Sequence, residues 1–307
     1  MRSWFSNQGW NRNLLVQLSG GPVSYQIDVY VVARFQFFYS EGAANWTVPE
    51  AEAWKRRFAN LVYETWSEQW RLDSDISCDP VDVDRATTDL PTSRVRVHAV
   101  DEQSPSIGLP PRQRIYALNV YRRAPGESSA RQHADGMLAS SATVGAAARG
   151  ELPSGTATAS LYEDSLELGP TSSIDGNRQV VAMHEFGHML GLMHPNDMRE
   201  DCEMDRSASV CYGQAYSPES ASIMGRGQEV RRDDYRVFEH ILSRLVVEVP
   251  SSGLGGMLGL STHRLYWFVA GSASVWCDGH YELSSSLGTR SHFTRGHARR
   301  PGPAGVA

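Results

Sequence analysis

The residues able to do chemistry are concentrated in one run, His184-Glu185-Phe186-Gly187-His188-Met189-Leu190-Gly191-Leu192-Met193-His194. His184 and His188 are four positions apart, so a helix places them one turn apart on one face. Two imidazoles so placed can share one Zn²⁺ at about 2.0–2.1 Å each. Glu185 follows the first of them, and its carboxylate can reach a water on the metal without being a ligand. Gly191 can take a positive φ at no steric cost, which ends the helix and turns the chain sharply. That turn lets His194 swing back as a third ligand. Three protein ligands leave a fourth position open to water, as a catalytic zinc requires and a structural zinc does not. The chemistry expected is hydrolysis by activated water, with Glu185 as general base. Five positions are fixed, and a chance match in a chain of this length is on the order of one in ten thousand or less. The plainer readings are histidines that merely cap or pack a helix, and a zinc site without catalysis.

The rest of the chain must hold this run in place. Tyr25 to Phe37 alternates, with Ile27, Val29, Val31, Ala33 and Phe35 on one face, and predicts a long strand. Pro49 sits where a helix can begin, and Trp54, Phe58, Leu61, Val62 and Trp66 follow at helical spacing as its core face. Residues 73–92 read as a loop. Arg94 to Val100, Ile115 to Arg122 and Thr156 to Glu163 read as further strands. The zinc-site helix is expected to start near Asn177, with Asp175 or a neighbour as its cap. Ser222-Ile223-Met224-Gly225 predicts a tight turn. Tyr235, Phe238, Ile241, Leu242 and Leu245 predict one last helix, closed by Pro250. Residues 1–22 read as a polar lead-in and 23–250 as one folded domain. Residues 251–307 read as a Gly/Ser/Arg-rich, partly disordered extension, with a hairpin from Arg264 to Leu283.

Composition narrows the function classes. The chain has 307 residues, a formal net charge of -6 and a pI near 5.9, which argues against general nucleic-acid binding. Lys55 is the single lysine, so arginine supplies the remaining basic side chains. No run is long and apolar enough to span a membrane, and the Asn13 to Leu18 stretch is too short and polar for the core of a cleavable signal. The expectation is a protein that stays in the cytoplasm, one that leaves by a signal-independent route, or a sequence given without its leader. The cysteines, Cys78, Cys202, Cys211 and Cys277, show no C-x-x-C spacing and offer no second zinc site. Cys202 and Cys211 bracket a short polar loop, either as a disulfide or as two ordinary thiols. Asp197, Glu200, Asp201, Glu203 and Asp205 offer oxygen ligands to Ca²⁺, but not at EF-hand spacing, and also read as a solvated loop. His133 and Asp135 have no partner motif.

With these residues in view, the sequence resembles the metzincin zinc peptidases, whose signature is H-E-x-x-H-x-x-G-x-x-H followed by a methionine-containing turn. His184, Glu185, His188, Gly191 and His194 match position by position, and Met224 follows thirty residues after His194. The resemblance covers roughly residues 23 to 249 and implies that 23–250 is a catalytic domain with an upper part to about 191 and a lower part over 192–250. It implies an α+β fold: a twisted mixed β-sheet, a backing helix, a zinc-site helix, and a small C-terminal subdomain with the Met-turn and a final helix. It also implies a zinc endopeptidase acting on a protein or peptide substrate. His184, His188 and His194 would be the ligands, Glu185 the base, and Met224 an apolar floor beneath the histidines. More weakly, the chain resembles bacterial metzincins carried as effector cargo by secretion or injection machines. Two departures stand out. Several metzincins carry a Tyr two positions after the Met, where this chain has Arg226, a candidate for oxyanion or substrate contact or else a structural ion-pair residue. Tyr212, Tyr216 and Tyr235 are the other candidates for that role. No cysteine-switch segment is recognisable before residue 23. A catalytically silent, zinc-stabilised binding module is the competing reading.

Overall fold

The computed structural model describes residues 5–11, 14–21, 24–76, 92–104, 115–127, 158–170, 176–196, 208–213, 217–242, 246–250 and 260–269. Its backbone is a mixed α/β arrangement whose sheet is parallel at the centre and antiparallel at its flanks. Strand β3 (Ser24–Tyr39) runs through the middle. It pairs in parallel with β5 (Thr92–Asp101) along its first part and with β6 (Tyr116–Arg122) along its last, and β6 pairs in parallel with β7 (Thr158–Tyr162). Parallel neighbours need a long crossover, and α1 (Val48–Trp66) lies within the one between β3 and β5.

The alternation read from the sequence is the alternation of burial. Ile27, Val29, Val31 and Ala33 of β3 join Val95 and Val97 of β5, Leu118 and Val120 of β6, and Trp54, Phe58, Val62 and Trp66 of α1 in one core. The helix begins one residue before Pro49. Thr47 caps it: its Oγ1 accepts from Glu50 N–H, while Glu50 accepts from Thr47 N–H, a reciprocal capping box.

Several stretches differ from the sequence reading. The supposed lead-in contains two strands, β1 (Phe5–Asn11) and β2 (Leu14–Gly21), and β2 pairs with β3 along its whole length. Leu14, Val16 and Leu18 are buried in the core, so a run too short for a signal core is instead one face of a strand. Arg71–Ile76, mostly within the expected loop, is strand β4, which pairs with β5. The last helix is broken into two short ones over 232–242, and Val246–Pro250 is a strand, β10. In the extension, Leu260–Val269 is strand β11, antiparallel to both β10 and β4. The hairpin expected from Arg264 to Leu283 lies, beyond Val269, outside the described residues. The remainder of 251–307, the acidic run from Asp197 to Asp205, and His133 with Asp135 lie outside the described residues. No described helix is long and apolar enough to cross a membrane.

Helix α2 (Val181–Leu190), which carries the His184 and His188 positions, is preceded by a short hairpin of β8 (Leu168–Pro170) and β9 (Arg178–Val180). It therefore starts later than Asn177, and its N-cap Val180 makes no side-chain cap. Ten residues are too few for an isolated helix to persist in water. Packing must hold it, and Ala182, Met183, Phe186, Met189 and Leu190 are all buried. Each large apolar side chain contributes about 1.5–3 kcal/mol on full burial. The Phe186 ring lies against Phe58 and Trp66, with centroids 6.0 and 6.5 Å away. Two long-range hydrogen bonds fix the register: Trp66 Nε1 donates to Met183 O (3.3 Å) and Tyr116 Oη to Met189 O (2.9 Å).

Candidate metal centre

The helix brings His184 and His188 to one face, and the backbone beyond it brings His194 to them. Gly191 ends α2 at φ 105°, ψ 8°. Leu192 N–H closes back on Gly187 O (3.0 Å) and Gly191 N–H on His188 O (2.9 Å), a glycine-terminated cap of the Schellman kind. That reversal has a second effect. It presents Leu192 O to His188 Nδ1 at 2.8 Å. His184 Nδ1 lies 2.8 Å from Ile223 O in the same manner. A carbonyl only accepts, so each Nδ1 carries its proton and donates. Each Nε2 is left with a lone pair.

Both lone pairs point to one place. His184 Nε2 and His188 Nε2 are each 3.2 Å from His194 Nε2. The ligand atoms of all three lie within 4.8 Å of one another. Nitrogens at about 2.0–2.1 Å from a tetrahedral ion stand roughly 3.3 Å apart. The separations therefore fit a shared cation, and a single proton on His194 could satisfy only one of its two neighbours. The cluster is compatible with a zinc site. His184 and His188 are buried, whereas His194 and Glu185 are part-exposed, so the cluster keeps a side towards solvent.

The expected turn lies below. Gly225 N–H donates to Ser222 O (2.9 Å), closing Ser222 to Gly225, and Met224 in its middle is fully buried. Gly187 faces it: a Cβ there would overlap Met224 Sδ and stand 3.1 Å from Trp66 Cζ2. Gly187→Ala is expected to destabilise the protein by about 1–3 kcal/mol, as overpacking does, and to weaken metal retention. A urea titration and a metal assay on the purified variant check both.

One residue holding this turn was missed in the sequence. Gln179, on β9, is buried, and its Nε2 donates to Ile223 O (2.7 Å) and Gly227 O (3.0 Å). It thus shares with His184 the carbonyl that orients the first ligand. Nothing in the local pattern marks it, because its partners are more than forty residues away. Asn177 adds a bond from Nδ2 to Ser220 Oγ (2.6 Å).

Asp234 ties the turn to the following helix, α3 (Arg232–Tyr235), accepting from Arg231 N–H (2.8 Å) and Ser222 Oγ (3.0 Å). Burial pushes its carboxyl up to about 6, against the pull of those donors. A raised carboxyl favours the folded state in its protonated form. Its contribution is full below about 4 and fades as pH rises through about 6. With chelator present, the stability of the native chain relative to Asp234→Asn should therefore fall from about pH 4 through about pH 6 and change little above that. Urea midpoints of both proteins across that range measure it.

The remaining candidates separate. Tyr212 packs on the cluster, its ring centroid 3.9 Å from that of His194 and 5.5 Å from that of His184. Tyr235 is fully buried and its hydroxyl donates to Val95 O (3.4 Å), which commits it to the sheet. Burial holds that phenol well above its usual range. Arg226 is buried, and its Nη2 donates to Gly213 O (3.1 Å). Tyr216 lies outside the described residues. Cys211 is disulfide-bonded, and Cys78, Cys202 and Cys277, one of which is its partner, lie outside them too. Comparison with known proteins returns no match among protein-family models, curated proteins or solved structures, so the centre stands on its own geometry.

Proposed function

We propose that this protein is a zinc-dependent endopeptidase. The observation that carries the reading is the convergence of three Nε2 atoms, two of them freed for coordination by backbone acceptors at Nδ1. A Zn²⁺ held there would supply the Lewis acidity that hydrolysis by water needs. The chain's own residues do the rest. His184, His188 and His194 hold the ion, and Met224 floors their rings. Glu185, next to the first ligand and part-exposed, accepts the proton of the attacking water and passes it to the leaving amine. Strand β7 pairs only with β6 among the described strands, and an extended peptide adding to its outer edge would bring a peptide bond along the sheet.

The metzincin resemblance of the motif supports the same activity. A second reading, a metal-stabilised binding module without turnover, is favoured by Arg226. At the position where several metzincins carry Tyr, this side chain is buried against a backbone carbonyl. A peptide-library digest with and without chelator separates the two: chelator-sensitive cleavage supports the peptidase, and metal binding with no cleavage supports the module.

A further inference from the structure

The two helical ligands take their orienting carbonyls from different places. His188 Nδ1 uses Leu192 O, four residues on, in the reversal that ends its own helix. His184 Nδ1 uses Ile223 O, 39 residues on, in the methionine turn. The first acceptor is set by local backbone. The second faces the helix only while the turn holds its shape, so a group that fixes Ile223 O also fixes the ring of His184.

Gln179 is placed to be that group. It is buried, and its Nε2 lies 2.7 Å from Ile223 O, 3.0 Å from Gly227 O and 3.3 Å from Gly225 O. A primary amide has two N–H donors, which the two shorter contacts use, and a carbonyl oxygen has two lone pairs. Ile223 O can therefore accept from His184 and from Gln179 together. The amide spans the turn from Ile223 to Gly227, both of them buried. Backbone bonds close the same loop: Gly227 N–H donates to Ser222 O (3.1 Å) and Ile223 N–H to Glu229 O (2.7 Å).

The amide is anchored independently of the turn it holds. Gln179 pairs with Gly169 in the β8–β9 hairpin, and beside it Arg178 Nη2 donates to Leu168 O (2.8 Å). Strand β9 runs directly into α2, so the hairpin and the helix that carries His184 move as one backbone. Hairpin, methionine turn and first ligand meet at a single carbonyl.

We propose that Gln179 is the positioning residue of the first metal ligand: by fixing Ile223 O it holds the Nδ1 proton of His184 and aims the Nε2 lone pair at the ion. The proposal rests on the metal-centre reading.

The test uses the full chain and Gln179→Met, which nearly keeps the side-chain length and removes both donors. Competition of Zn²⁺ against a chromophoric chelator should show affinity weakened by about 10–100-fold, the range for residues that orient a ligand. The second readout is the imidazole ¹H–¹⁵N spectrum of zinc-loaded protein labelled with ¹⁵N-histidine. In the variant the Nδ1–H signal of His184 should shift or vanish, while that of His188, whose acceptor is local, stays in place. Unchanged affinity would overturn the proposal, as would a spectrum in which both signals stay or both are lost. Circular dichroism checks the fold. If the Met variant unfolds, Gln179→Asn, which keeps the amide but falls short of the carbonyls, takes its place under the same expectations. If the native chain itself binds no metal, the metal-centre reading fails and takes the proposal with it, and the native titration alone reveals that.

Discussion

Glu185→Gln keeps its metal and loses peptide-bond turnover by roughly 10²–10⁴-fold, the range a positioned general base contributes. The physical reason is confined to one atom. Glutamine has nearly the shape of glutamate, and Glu185 is part-exposed beside a buried ligand rather than packed in the core. The exchange should leave α2 and its apolar packing intact. What it removes is a carboxylate able to take a proton. Single-turnover cleavage of a peptide found in the library digest, with metal content measured on the same samples, separates the two effects. Undiminished cleavage by the variant would remove Glu185 from the reaction.

The second large effect is expected at the ligands. His194→Ala should lower Zn²⁺ affinity by more than the roughly 100-fold that loss of an orienting residue costs, because a direct donor is removed. Three donors then become two, and both remaining rings keep their carbonyl partners at Ile223 and Leu192. The helix should therefore survive while the ion is lost. Isothermal titration against a competing chelator measures the change. Equal affinity in the variant would exclude His194 from the ligand set.

The site was far more legible in the sequence than the sheet. A helix fixes the geometry of His184 and His188 by spacing alone, and Gly191 announces the turn that recovers His194; all three appear where the pattern predicts. Met224 was singled out through the metzincin resemblance, thirty residues after His194, and it is buried as expected. The central strands were readable because β3, β5 and β6 alternate cleanly. Strand β1 was missed because a run such as Phe5-Ser6-Asn7-Gln8-Gly9-Trp10-Asn11 has little alternation, and its pairing with β2 is a tertiary fact. The final helix was overextended because its apolar spacing continues through Leu245, while the chain leaves the helix for β10. Gln179 carries no local signal at all, and Tyr212 stood out only as a candidate for oxyanion contact. Their partners stand in other segments, and only the folded chain brings a buried amide to the methionine turn or a phenol ring to His194.

The most direct measurement is X-ray absorption at the zinc edge on the full chain loaded with one equivalent of Zn²⁺, with stoichiometry taken by plasma mass spectrometry. The account predicts one ion per chain, with three imidazole nitrogens at about 2.0–2.1 Å and one lighter donor completing the shell. Sulfur in the first shell, fewer than three imidazoles, or no retained ion would contradict it.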